Sequence, residues 1–132
     1  MTTIDSLVSG DLRIDATVTP APPAVSLAWS GKSNARQADL LVLPYLEAAL
    51  DAAAATGASL EMHFESLGHF NSSTIASVIH LIQSARARGV RLVVVSDPRR
   101  QWQRLSFDAL RVFVQPDGLF ELRAVGDGEP GA

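Results

Sequence analysis

The sequence contains no cysteine. That excludes a disulfide framework, a thiolate nucleophile and a cysteine-ligated zinc site, and it is compatible with a reducing compartment. Positive charge is also scarce. Eleven Lys and Arg face 14 Asp and Glu, leaving a net charge of −3, which argues against general nucleic-acid binding. No apolar stretch approaches the ~20 residues that a membrane-spanning helix needs. The opening MTTIDSLVSGDLRID has acids early and no basic segment ahead of an apolar one, so it does not read as a secretory signal. The expectation is a cytoplasmic protein with no membrane and no nucleic-acid partner. There is no internal repeat.

What is present fits one globular domain. The 132 residues are 47% hydrophobic and 19% charged, enough to bury a core without disulfides or metals. Lys32 is the one lysine against ten arginines, and alanine is abundant, as in GC-rich bacterial coding sequences. Charge is unevenly spread. No Lys or Arg occurs between Gln37 and Ala85, whereas six Arg and one acid, Asp97, fall between Arg86 and Arg104. One face or end is therefore acidic and another basic, or solvated helix ends simply differ.

Residues 11–18, DLRIDATV, alternate and read as a half-buried strand. The prolines of TPAPP (19–23) are expected to stop it. AVSLAW (24–29) reads as its hairpin partner, and SGKSN (30–34) as a loop. A helical pattern runs from Ala35 to Thr56, where Pro44 either kinks it or marks the first turn of a shorter helix. Gly57 suits its C-terminal cap. ASLEMHFES (58–66) alternates as a strand, with Leu67, Gly68 and His69 as a short connection. A helix over about 73–88 follows, with Ile75, Ile79 and Ile82 on its apolar face, Val78 and Ala85 beside them, and Gly89 as cap. VRLVVVS (90–96) reads as a strand covered on both faces. A third helix over about 100–108 groups Trp102, Leu105 and Ala109. VFV (112–114) is open between helix end and strand, and LFELR (119–123) is a last strand. The order β-β-α-β-α-β-α-β predicts an α/β single domain. Its sheet is mixed but mostly parallel, with an N-terminal β-hairpin and helices mainly on one face. Residues 1–10 are expected as an N-terminal extension, 11–123 as the domain and 124–132 as a disordered tail.

The stretch HFNSST (69–74) carries the functional question. Asn71 or Ser72 as a helix N-cap accounts for it fully, since such side chains accept from the free backbone N–H groups of a first turn. The same place, where a strand turns into a helix, is also where α/β proteins locate function. A phosphate carried there meets free N–H groups and the positive end of the helix dipole. His63, His69 and His80 share no metal-binding spacing. A Ser–His pair of His69 with Ser72 lacks both a nucleophile elbow and a third orienting group. No enzyme activity, metal or cofactor is expected. GKSNAR lacks the upstream glycine of a phosphate loop, and Trp29 and Trp102 read as packing residues. Arg99, Arg100 and Arg104 follow a strand end on the side expected for Ser72. They suit an acidic partner or the phosphorylated turn, and read equally well as solvated arginines.

The run LEMHFES, FNSST, IASVIHLIQSARARG, VRLVVVS resembles the STAS domain of bacterial anti-sigma factor antagonists over roughly residues 11–122. Asn71 and Thr74 stand where those antagonists carry Asp and Gly. The turn is more similar to a biofilm-regulating phosphoprotein branch with a Phe-Asn-Thr-Ser-Ser turn, which also has a Gly-x-Ser loop, here Gly31 to Ser33, and a helix with an internal Pro. The resemblance implies a non-catalytic partner-switching regulator. Its phosphorylated residue falls on Ser72, with Ser73 and Thr74 as alternatives. The partner surface then comprises His69, Phe70, Asn71, Ser73, Thr74, Arg99 and Arg100. The implied partners are a serine/threonine kinase of anti-sigma type, a PP2C-type phosphatase, and a target that is either the anti-sigma-type kinase or a diguanylate cyclase. The rival reading is a STAS-like scaffold or assembly module whose hydroxyl turn is only a cap. With Ser72 as cap, Ser72→Ala would cost about 1 kcal/mol.

Overall fold

The computed structural model describes residues 5–34 and 40–124. The described chain forms a seven-stranded sheet in the order β1-β2-β3-β4-β6-β7, with β5 paired to β3. β1 (Leu7–Ser9), β2 (Leu12–Pro20) and β3 (Pro23–Ser33) pair antiparallel. β4 (Ser59–His63), β5 (Leu67–Phe70), β6 (Leu92–Ser96) and β7 (Phe120–Ala124) join through parallel pairings. α1 (Val42–Thr56) lies between β3 and β4, α2 (Ser72–Ala87) between β5 and β6, and α3 (Gln101–Asp108) between β6 and β7. A 3-10 turn, Ala109–Phe113, prolongs α3, which places VFV at a helix end.

The expected hairpin is present but longer than its prolines suggested. β2 and β3 pair down to Pro20 opposite Pro23, leaving Ala21 and Pro22 as the turn, joined by a cis peptide. The prolines are tolerated because β1 reaches only residues 12–14 of β2 and β4 begins pairing at Ala24. No ladder N–H is needed where the prolines sit. Two short strands were not legible. β1 comes from the expected N-terminal extension, and β5 occupies the expected 67–69 connection. SGKSN is not a loop, since β3 runs on to Ser33. It shifts register between Gly31 and Lys32 and then pairs with β5. Gly31 makes this possible. Its φ is +82°, and a Cβ there would lie 1.8 Å from the Asp11 carbonyl oxygen, so only glycine fits.

α1 begins at Val42, which puts Pro44 in its first turn. The helical pattern extrapolated back to Ala35 fails there: a proline at position 44 opposes a helical carbonyl at residue 40. Residues 35–39 themselves lie outside the described chain, as do residues 125–132 of the expected tail. Gly57 (φ 67°) ends α1. Beyond α2, the Val90 N–H bonds Ala85 O at 2.9 Å and the Gly89 N–H bonds Arg86 O at 3.1 Å. That is a Schellman closure, with Gly89 in the left-handed region.

The helices cover one face. Leu46 and Leu50 of α1, Val78 and Leu81 of α2, and Phe107 join Leu27, Trp29, Leu60, Met62 and Val94 in a single core. Two helical stripes differ from expectation. On α2 the fully buried line is Thr74, Ser77, Val78, Leu81, Ile82 and Ala85, while Ile75 and Ile79 are only partly buried. On α3 the buried residues are Gln103 and Phe107, continued by Leu110, and Leu105 is 63% exposed. β6 is buried on both faces, but no helix covers its outer face among the described residues. Val93 (0% exposed) is flanked across the sheet by Glu61 and Glu121, and Val95 by His63 and Arg123. The stems of those side chains shield the valines.

Candidate functional site

The parallel strands end on one edge, where α2 and α3 begin. Asn71 caps α2: its backbone is extended, and its Oδ1 accepts from the Thr74 N–H at 3.0 Å and from the Thr74 hydroxyl at 2.8 Å. Thr74 Oγ1 also lies 2.6 Å from Ser33 Oγ, and the Asn71 N–H donates to Ser33 O at 3.0 Å. Thr74 and Ser33 are 0% and 2% exposed. The cap is thus a buried polar knot tying the end of β3 to the first turn of α2, with its hydroxyls satisfied as burial requires.

Ser72, the first helical residue, is exposed, and the cap leaves its hydroxyl unused. Ser73 is half-buried, and its carbonyl accepts from Ser77 Oγ at 3.3 Å. Ser72 borders an open cavity of about 290 Å3 lined by Phe70, Asn71, Ile75, Ser106 and Ala109. α3 forms the far wall. The cavity floor is braced by aromatic rings. Phe70 makes edge contacts with Trp102 at 5.1 Å and Phe107 at 5.5 Å, and Phe64 stands 5.1 Å from Phe107. The exposed His69 ring lies 5.9 Å from Trp102. Trp29 is a core residue and Trp102 a half-buried rim residue.

Gln103 holds α3 in place. Fully buried, it accepts the Asp97 N–H at 2.8 Å and donates to Phe64 O at 2.7 Å and Leu67 O at 3.1 Å. One amide therefore satisfies backbone groups after β4, at β5 and after β6. Asp97 in turn binds the Arg99 guanidinium at 2.9 Å and the Arg99 N–H at 3.0 Å. The bond from Arg99 holds the Asp97 carboxyl below its ordinary range.

Phe70, Asn71 and Ser72 share one cavity, with His69 beside it. Arg99 and Arg100 sit on the β6–α3 connection, exposed, and neither lines that cavity among the described residues. The histidines are dispersed. His63 faces Glu61 at 3.1 Å and Glu65 at 3.6 Å, and His80 faces Glu47 at 3.2 Å. Among the described residues no group of His, Cys, Asp or Glu is arranged to hold a metal ion, and no helix is long and apolar enough to cross a membrane. Ser33, Gln103, Ser106 and Ala109 were not anticipated at the site. Thr74 did leave a trace, because 74, 78, 81 and 85 have helical stripe spacing.

No protein-family model matches the chain, and no curated protein matches it. Among solved structures it is similar to an uncharacterized protein of the DUF3478 family from Shewanella loihica PV-4, described as having a SpoIIAA-like fold. The two share 14% sequence identity and a TM-score of 0.53, with 92% of each chain covered. The architecture is thus a SpoIIAA-like, that is STAS-like, α/β fold.

Proposed function

We propose that this protein is a non-catalytic, cytoplasmic partner-switching regulator controlled by reversible phosphorylation of Ser72. The observation that carries the reading is the division of labour in the turn. Asn71 and Thr74 build the cap, while Ser72 stands exposed on the rim of a partly apolar cavity. A phosphate on Ser72 would sit at the positive end of α2 without disturbing the knot beneath it. It would also place a dianion where a partner's apolar side chain docks. Ser73 is the second choice. Thr74 is the least accessible, since its hydroxyl is buried and twice bonded. The partner surface is Phe70 and Asn71 in the cavity wall, the neighbouring His69 and Ser73, and Arg99 and Arg100, exposed on the β6–α3 connection. On this reading the modifying enzyme is an anti-sigma-type serine/threonine kinase and its counterpart a PP2C-type phosphatase, as the resemblance of the turn to anti-sigma factor antagonists implies. The target is the kinase itself or a diguanylate cyclase.

One observation favours the rival scaffold reading: the Asn71 cap explains the turn with no phosphate at all. Peptide-mapping mass spectrometry on protein from its native host, over several growth conditions, separates the two. A single phosphate on Ser72 is expected in some conditions. A turn unmodified in all of them would leave a scaffold module.

A further inference from the structure

The arginines that follow β6 divide in the structure. Arg104 does not line the Ser72 cavity. It lies on the other flank of α3, in a second cavity of about 160 Å3 where β6 and β7 end. Arg104, Arg111 and Arg123 line this cavity together with Ser96 and Asp108. Phe107 and Leu122 give it an apolar floor. Three arginines and one acidic residue, Asp108, are thus among the residues that line it. Arg111 is held by Asp108 at 2.6 Å and Arg123 by Glu121 at 2.8 Å. Arg104 has no side-chain hydrogen bond or ion pair among the described residues.

Guanidinium groups present forked N–H donors that match phosphate oxygens. The size of the cavity limits the ligand. At about 160 Å3 it is well below the roughly 300 Å3 at which pockets for drug-sized ligands begin. It is open to solvent and has room for a tetrahedral oxyanion. Its place, at the carboxyl ends of parallel strands, is where open α/β sheets receive ligands.

We propose that this cavity is a phosphate-sized oxyanion site, with Arg104 as the principal donor and Arg111 and Arg123 as oriented flanking charges. The ligand is inorganic phosphate or the phosphoryl head of a small ester. The site is independent of Ser72 modification, being on the opposite side of α3. The test is an amide-resolved NMR titration of the full chain with sodium phosphate, against sodium chloride at equal ionic strength, repeated with methyl phosphate. Phosphate should cause saturable shifts at Ser96, Arg104, Arg111 and Arg123. Arg104→Gln should weaken the midpoint about tenfold, while Arg88→Gln, at the far end of α2, should leave it unchanged. The exposed, unpaired Arg104 side chain can be replaced without loss of fold, which an unchanged melting curve checks. Methyl phosphate binding as well as phosphate would identify an ester head, and phosphate alone a free anion. Shifts that merely follow chloride, or that persist unaltered in Arg104→Gln, would overturn the proposal.

Discussion

At the scale of single residues, the α2 turn separates capping from exposure. Asn71, not Ser72, accepts the first-turn N–H. Asn71→Ala should therefore cost about 1 kcal/mol, while Ser72→Ala should stay within about 0.5 kcal/mol of the parent. This corrects the cost expected with Ser72 as cap. Ser72→Asp should stabilise by about 0.3–1 kcal/mol through the helix dipole. Urea midpoints of the three variants check this ranking, and a large loss in Ser72→Ala would contradict it. Gln103 is the second residue of consequence. Gln103→Leu would leave the Asp97 N–H and the Phe64 and Leu67 carbonyls without their buried partner, at about 3 kcal/mol. Chemical denaturation measures that loss. A cost under about 1 kcal/mol would show that solvent reaches those groups. The sequence offered Asn71 as one of two caps, but the role of Gln103 was not legible, because a glutamine in a polar helix carries no mark of burial.

At the scale of elements, α3 shows how a weak pattern misleads. Trp102, Leu105 and Ala109 have helical spacing, yet the core accepts Phe107 and leaves Leu105 63% exposed. Phe64 and Phe70 decide this, by offering rings at 5.1 and 5.5 Å to Phe107. Phe107→Ala should lose about 3–5 kcal/mol, and Leu105→Glu should be near neutral in the same thermal or urea assay. The reverse order would restore the stripe read from the sequence. The long helices were more legible. Gly57, Gly89 and the apolar repeats placed α1 and α2 to within a few residues, apart from the α1 start that Pro44 governs. β1 and β5 escaped notice for the opposite reason. Three or four residues carry too little periodicity, and each exists only because a neighbouring strand supplies its hydrogen bonds.

At the scale of the whole molecule, ion pairs join parts distant in sequence. Arg86, near the end of α2, binds Asp117 at 3.0 Å and the Phe113 carbonyl at 2.8 Å. The bond from Arg86, aided by the Leu119 N–H, lowers the Asp117 pKa from its ordinary 3.8, and the Arg99 bond lowers that of Asp97 likewise. A carboxylate lowered by folding stabilises the native state while ionised, above the ordinary range near pH 4. That contribution is lost as pH falls through the lower folded value. Stability should therefore decline below about pH 4, and Asp117→Asn should flatten the decline while leaving its own deficit at neutral pH. Urea midpoints measured from neutral to acid pH test it. Parallel curves for parent and variant would remove Asp117 from the account.

The amino-acid sequence by itself determined the α/β class, the hairpin followed by parallel strands, the two long helices and the place of the hydroxyl turn. These rest on local signals: alternation, helical spacing, glycine caps and hydroxyls ahead of an apolar run. Only the tertiary structure decided that Thr74 is buried against Ser33, that Ser72 faces a cavity walled by α3, and that Arg104 parts from Arg99 and Arg100 to join Arg111 and Arg123. The physical reason is common to all three. Each depends on which surface of one element meets another far along the chain, and packing and hydrogen-bond satisfaction settle that, not periodicity.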